Sequence, residues 1–361
     1  MTEKRWIARS YLPGDETGIQ KLREKIWGDL EKEKLSLEFW RWQFIENPAG
    51  KGFIQVADDH GIIAGHQPVV PTDFLINGQS LKFAMSVDTM THPDYQKQGI
   101  FSTLSKAAYE EAAKSGIEIV WGFPNENSRP GFIKNLAWSD ITVLPVYAKI
   151  LMTKNLLKRY FRSALLSRWL AIFLDPICKI VFSTGGAKVP GLVIQEIREF
   201  DERFDNLWNQ NAHSHNIIQV RDSRHLQWRY FQIPLRRYRV FAAEQDGKLV
   251  CYMVLRSMEL FDLKVGAIAD LFPVHIDKKI IKALFHRANS VFREEGMDLM
   301  VFMIPPQFRT IIKGLRFLKI PDFLNLKRWY VGLRYQASQY KHDFLLNIEN
   351  WFLTFGDTDI V

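Results

Sequence analysis

Residues 42–65 can be laid on residues 228–251 without a gap, at a constant shift of 186. WRWQF falls on LQWRY, and IQVADDHGIIAG falls on VFAAEQDGKLVC. Three further segments recur in the same order. The stretch around Asp88 matches that around Asp270, GIEIVWGFP matches GMDLMVFMIP, and FIKNLAW matches IIKGLRF. A run of ordered matches constrains a fold more than any single motif, because it asks one supersecondary plan to be built twice. We expect two related halves, residues 1–150 and 191–361, joined by residues 151–190.

The plan of each half is mixed α/β. GDETGIQKLREKIWGD and LSLEFWRWQFIE space apolar residues three and four apart, as helices do. FIQVADDHGIIAGHQPVV reads as a hairpin turning at its Asp and Gly. LKFAMSVDTM reads as a strand, IFSTLSKAAYEEAAKSG as a helix closed by Gly116, and IEIVWGF as a short strand. A further helix begins near Ser128, with Pro130 in its first turn. A short strand is expected at residues 4–9.

The joining segment holds most of the charge. Lys154, Lys158, Arg159, Arg162, Arg168, Lys179 and Lys188 stand there against Asp175 alone, so one short stretch supplies most of the net +8. A local excess of this kind does not describe a nucleic-acid surface, and no nucleic-acid motif accompanies it. Two readings stay open: a connector helix packed on both halves, or a basic amphipathic helix resting on anionic lipid. Its uncharged run is too short to span a bilayer. The two cysteines and an N-terminus without an apolar run lead us to expect a reducing, cytoplasmic setting, and no Cys/His spacing suggests a metal.

The chemistry is concentrated in HPDYQKQGIF, residues 92–101. It leaves a strand, makes a polar turn and enters a helix through Gln96, Lys97, Gln98 and Gly99. The first N–H groups of a helix lack intrahelical partners and sit at the positive end of its dipole. A glycine there lets a phosphate oxygen reach the backbone. The turn from Gln96 to Ser102 can cradle a pyrophosphate, with Gly99 as the residue that has no substitute.

With the strand IEIVWGF, Asn125, Phe132 and the pair Ala137-Trp138 following in register, residues 82–140 resemble the GCN5-related N-acetyltransferase (GNAT) superfamily. The resemblance implies the acyl-CoA N-acyltransferase fold and acetyl-CoA or another acyl-CoA as co-substrate. It implies a diphosphate held by Gln98, Gly99, Ile100, Phe101 and Ser102, with Gln96 and Lys97 completing the turn. It also implies pantetheine along Thr89, Met90 and Thr91, and Asn125 bonding the pantetheine arm. An N–H near Met90 or Thr91 would polarise the thioester carbonyl. Asp88, Glu126 and His92 are candidate bases beside a water relay, and Ser128 or water is the candidate acid.

Three residues depart from the family pattern. Phe101 replaces a Gly or Ala, and Ala137 replaces a Gly. Phe132 stands where a Tyr often protonates the leaving thiolate, and Phe has no proton to give. The second half has VHIDKKI where the first has YQKQGIF, so it lacks the glycine and reads as a degenerate copy. Its ending, WFLTFGDTDIV, offers Asp357, Asp359 and a terminal carboxylate, either as a frayed acidic tail or as a chain end in the site. The expected function is N-acyl transfer to a small amine such as an amino sugar or amino acid. The alternatives are a long-chain acyltransferase at a membrane surface and a non-catalytic binding module of the same fold.

Overall fold

The computed structural model describes residues 5–161, 163–260, 262–321, 327–336 and 340–359. The start of the strand expected at 4–9, Arg162 and the terminal carboxylate lie outside these residues.

Strands β1 (Ile7–Ser10), β2 (Phe53–Asp59), β3 (Ile62–Ile76), β4 (Gln79–Ser86), β5 (Met90–Thr91), β6 (Ile119–Gly122), β7 (Ser139–Leu144) and β8 (Val146–Ile150) occupy the N-terminal part. Helices α1 (Glu16–Trp27), α2 (Leu37–Phe44), α3 (Ile100–Lys114) and α4 (Arg129–Leu136) are interleaved with them. Helices α5 (Lys154–Tyr160) and α6 (Ala164–Val181) follow. The C-terminal part holds β9 (Leu192–Ile197), β10 (Ile217–Gln219), β11 (Arg239–Gln245), β12 (Lys248–Leu260), β13 (Leu263–Phe272), β14 (Leu299–Met303), β15 (Leu318–Lys319), β16 (Trp329–Tyr335) and β17 (Trp351–Phe352). Its helices include α7 (Glu202–Asn211), α8 (Ser223–Leu226), α9 (Lys278–Glu294) and α10 (Arg309–Ile312).

Two sheets result. The first runs β1-β2-β3-β4-β6-β16-β7, and the second runs β9-β11-β12-β13-β14-β8-β15. Read in these directions the two orders are the same, including the parallel pair β4–β6 and its counterpart β13–β14. The second sheet is thus consistent with the duplication expected from residues 42–65. Each sheet completes itself with a strand from the other part of the chain. β16 is inserted between β6 and β7, and β8 between β14 and β15.

Where the matched segments meet, they meet each other. The Trp42 indole N–H donates to the Trp228 carbonyl at 2.9 Å, and the Trp228 indole N–H donates to the Trp42 carbonyl at 3.2 Å. The two rings stack at 4.5 Å with 15° between their planes. Reciprocal bonds between residues at the same register are the signature of a two-fold contact, here within one chain. The helices carrying them are capped alike. The Ser36 side chain accepts from Phe39 N–H and the Asp222 side chain from His225 N–H, at positions also 186 apart.

Local features agree with their sequence signals. Gly116 follows α3 with φ +85°, donating to Ala113 O at 3.0 Å. Ala137 ends α4 in the left-handed region, φ +54°, the conformation for which glycine is the unstrained residue. Residues 351–358 are buried, so the chain end that could have been a frayed acidic tail is packed as core instead.

If the tryptophan pair holds the halves together, Trp42→Ala and Trp228→Ala should each cost about 3–5 kcal/mol. The double substitution should cost less than the sum by about 1–3 kcal/mol, since each single change already breaks the shared contact. Urea unfolding of the four proteins measures this, and additive losses would count against the pair acting as a unit.

Candidate functional site

The last residues of β4 decide the geometry. β4 pairs with β6 as far as Met85 opposite Trp121, and there the ladder stops. β4 itself pairs with β3 to Ser86 opposite Val69, and pairing resumes only at Met90 opposite His66. Three residues, Val87, Asp88 and Thr89, therefore oppose two on β3. The extra residue makes a bulge, with Asp88 at φ +46°. The bulge turns β5 away from β6 and opens a fork. β5 pairs with β3 on one side only, so the backbone of Thr89, Met90 and Thr91 presents an edge to the fork. Gly122 sits at the crotch, where a Cβ would come within 2.9 Å of the Ser86 carbonyl.

Below the fork lies the turn into α3. Gln96, Lys97, Gln98 and Gly99 are exposed. Lys97 and Gly99 have φ of +61° and +80°, and Gly99 caps α3 with no side-chain hydrogen bond. The N–H groups of Gln98, Gly99, Ile100, Phe101 and Ser102 find no acceptor among the described residues, and the first bond of the helix runs from Thr103 N–H to Gly99 O at 3.0 Å. Five amides at the positive end of a helix dipole are thus left without an acceptor. Phe101, bulky where the family is small, turns away from the turn. Its ring meets Phe132 edge-on at 5.2 Å and lies over Gly131, where a Cβ would be 2.9 Å from it. Phe132 is in turn buried against Trp138 at 4.6 Å, inside an aromatic cluster rather than on an open wall.

The corresponding turn in the second half is closed. The Asp277 side chain accepts from Lys279 N–H at 2.8 Å and caps α9. A carboxylate stands where α3 leaves bare amides, so the α9 terminus is occupied and already negative.

The candidate acid–base residues fall into two places. Asn125, Glu126 and Ser128 share the loop before α4. Asn125 Oδ1 accepts from the Asn127 and Ser128 amides at 3.0 and 2.9 Å, and Ser128 Oγ accepts from Asn125 N–H at 3.1 Å. Glu126 is exposed, 3.5 Å from Arg328. His92 accepts from Asp94 N–H at 3.2 Å and serves the turn.

Asp88 is elsewhere, buried at the bulge. It receives Arg23 at 2.5 Å on one oxygen and Lys34 at 3.0 Å on the other. Burial alone would raise its pKa, but Lys34 and Arg23 outweigh burial and hold the carboxyl below its ordinary value. An ionised carboxylate engaged on both oxygens is a poor proton acceptor. Neighbouring His66, whose Nδ1 is 3.2 Å from the Asp88 carbonyl, is kept neutral by burial and then by Arg23, with its pKa lowered to about 3.

Sequence reasoning missed the connection from Asp88 to the chain end. Lys34 also reaches Asp359 at 3.2 Å. The tail is gripped along its length by second-half arginines. Arg221 holds Asp357 at 2.7 Å, Arg229 donates to the carbonyls of Gly356 and Thr358, and Arg236 donates to that of Asp359. Between the halves remains a cavity of about 60 Å³, room for a few waters. Met85 and Val87 border it from the fork, Trp42 and Trp228 from the two-fold contact, and Asp357 and Asp359 from the tail. Among the described residues no His, Cys, Asp and Glu cluster could hold a metal ion.

Comparison with known proteins puts this geometry in context. Residues 8–141 match the acetyltransferase (GNAT) domain family. No curated protein matches the chain in sequence. A GCN5-related N-acetyltransferase from Anabaena variabilis superposes with a TM-score of 0.63 at 11% identity, over 92% of this chain and 73% of that one. A conserved protein from Enterococcus faecalis, described as a probable N-acyltransferase, gives 0.64 at 11% identity over the same shares. Saccharomyces cerevisiae N-myristoyltransferase with bound myristoyl-CoA gives 0.61 at 14% identity, over 94% of this chain and 85% of that one. At such identities the likeness is one of fold. The chain has the fold of the GCN5-related N-acetyltransferases, and its acetyltransferase (GNAT) domain spans residues 8–141.

Proposed function

We propose that the protein is an acyl-CoA-dependent N-acyltransferase with one acyl-CoA site per chain, in its N-terminal half. The observation that carries this reading is the set of unpartnered amides at residues 98–102 beneath an open fork, beside the capped α9 terminus. In this reading Gln98, Gly99, Ile100, Phe101 and Ser102 hold the diphosphate, with Gln96 and Lys97 lining the turn. Pantetheine adds to the free edge of Thr89, Met90 and Thr91 as a further strand would. Asn125 bonds its amide arm.

The acceptor is a small amine, such as that of an amino sugar or amino acid, whose nitrogen approaches the fork on the side of the cavity. Its nitrogen attacks the thioester carbonyl carbon. A C–N bond forms and the C–S bond breaks, while an N–H near Met90 or Thr91 stabilises the oxyanion. We assign the amine proton to a water relay in the cavity, because Asp88 is engaged by two cations and Glu126 faces solvent. Ser128 or water returns a proton to the departing thiolate. Asp88 then acts by position. It ties the bulge, through Lys34, to the tail that walls the cavity.

We further propose units 1–150 and 191–361, the second a degenerate GNAT-like domain that shapes the acceptor side, with 151–190 joining them in a reducing, cytoplasmic setting. A second reading, a long-chain acyltransferase working at a membrane surface, is favoured by one observation: the outer face of α6 is apolar and exposed. Rates across acyl-CoAs of increasing chain length would separate the two.

Calorimetric titration with CoA is expected to give one site per chain. Gly99→Val should weaken it at least tenfold, since each amide–phosphate bond is worth about 1.5–3 kcal/mol and a side chain excludes the ligand as well. Two sites, or none, would sink the reading.

Asp88→Asn tests the positioning role. The folded pKa of Asp88 is depressed, so its ion pairs stabilise the fold above the ordinary carboxylate range, and that stability is lost as pH falls through the folded value. The variant should lose about 3–5 kcal/mol at pH 7, and its Tm should approach that of the parent below pH ~4. A variant as stable as the parent at pH 7 yet inactive would make Asp88 the base instead.

A further inference from the structure

Helix α6 has a packed inner side and an exposed apolar outer side. Ser167 and Ala171 face inward and are buried, and Asp175, the one acid of residues 151–190, is turned in to accept from the Thr153 N–H and hydroxyl at 2.7 Å. The opposite side carries Leu165, Trp169, Ile172, Phe173, Ile177 and Ile180, at i, i+4, i+7, i+8, i+12 and i+15. Each is 55–72% exposed. No helix among the described residues is long and apolar enough to cross a membrane. A helix too short to span, packed on protein along one side and carrying an exposed apolar stripe flanked by Arg168 and Lys179 on the other, has an outer side suited to a water–lipid boundary.

The surrounding charge selects the occupant. Arg168 and Lys179 are exposed on α6 itself, and Lys154, Lys158, Arg159 and Lys188 are exposed on the segments that flank it in sequence. At the C-terminal end of α6, Arg316 donates to the carbonyls of Ile180 and Val181 at 2.6 and 2.8 Å. Arg316 lies on the rim of a hollow of about 520 Å³ in the second half, together with Arg309, Lys313 and Lys319. Among the described residues, no acidic side chain lines it. A second copy of the chain docked by two-fold symmetry would bring like charges together around the apolar stripe, which disfavours it. An anionic bilayer offers the complementary charge to the cations and an apolar layer to the stripe.

We propose that the outer face of α6 and the adjoining basic hollow form one docking surface for anionic membranes. The stripe lies in the plane of the interface, and Arg309, Lys313 and Lys319 receive lipid phosphates and carboxylates. The surface is separate from the acyl-CoA turn and holds whichever acceptor is used.

The test uses the full chain with phosphatidylcholine vesicles, with and without 30% phosphatidylserine, in sedimentation at ~0.1 M salt. Binding is expected to the mixed vesicles and to be at least tenfold weaker to phosphatidylcholine alone, and to fall further as salt rises. Ile172→Glu with Phe173→Glu should abolish it. Lys313→Glu with Lys319→Glu should weaken it several-fold. All four residues are exposed or half-buried, so Tm should hold, and Trp169→Ser serves as a milder second variant. The proposal is overturned if the parent protein ignores the mixed vesicles or if the acidic variants bind as well as the parent. It is also overturned if the parent sediments as a dimer that Ile172→Glu with Phe173→Glu dissociates, while no vesicle binding is seen. CoA titration of the same preparations keeps the two readings apart. Vesicle binding without CoA affinity would refute acyl transfer and support the docking surface.

Discussion

Two tryptophans that donate to each other's carbonyl stand at the centre of this molecule. Trp42 and Trp228 occupy the same register of a repeated plan, and their stacked indoles join the halves. Much else follows from that contact. With the halves locked face to face, β8 can complete the second sheet and β16 the first. Residues 356–358 are drawn into the seam between them, where Arg221 and Arg229 hold them. The cavity beside the fork is the space left over when two such halves meet. A fork alone would be open to water on one side. Here the partner half and the buried tail wall it in.

Symmetry of fold does not bring symmetry of chemistry. Both halves end a strand and begin a helix at matching places, α3 and α9. Their N-cap residues differ. Gly99 adopts φ +80° and contributes nothing but backbone, whereas Asp277 bonds the first turn of α9 with its own carboxylate. The same logic applies to the buried carboxylates that matched in sequence. Asp88 is shared by Arg23 and Lys34 and reaches the tail through Lys34. Asp270 is bound by Arg221, Tyr252 and Thr354, and Arg221 passes on to Asp357. Each half therefore ties its bulge region to the same strip of C-terminal chain.

What was legible in the sequence was local or repeated. Gly99 was legible because strand, polar turn, glycine and helix follow within ten residues. The repeated strand order, consistent with a duplication, was suggested by one ungapped match at residues 42–65 and by the common order of the others. The exchange of β8 and β16 was not, because alternation marks a segment as a strand without naming its neighbour. The ion pairs of Asp88, a candidate base, were not legible for the same reason, since Arg23 and Lys34 stand 65 and 54 residues away. The acidic chain end could be read as frayed because its partners, Arg221 and Lys34, lie 136 and 325 residues upstream. For α6, composition suggested both a packed connector and a lipid-facing helix; one of its sides is packed and the other is exposed and apolar. Phe101 and Phe132, read as departures from a pattern, pack on one another over Gly131, an accommodation that no single position discloses.

The central claim is that one helix terminus of two binds the acyl donor. Hydrogen–deuterium exchange with and without CoA addresses it amide by amide. The account predicts strong protection at residues 98–102 and at residues 89–91 on CoA addition, with no change at residues 277–282. Protection at the start of α9, or none at the start of α3 under saturating CoA, would contradict it.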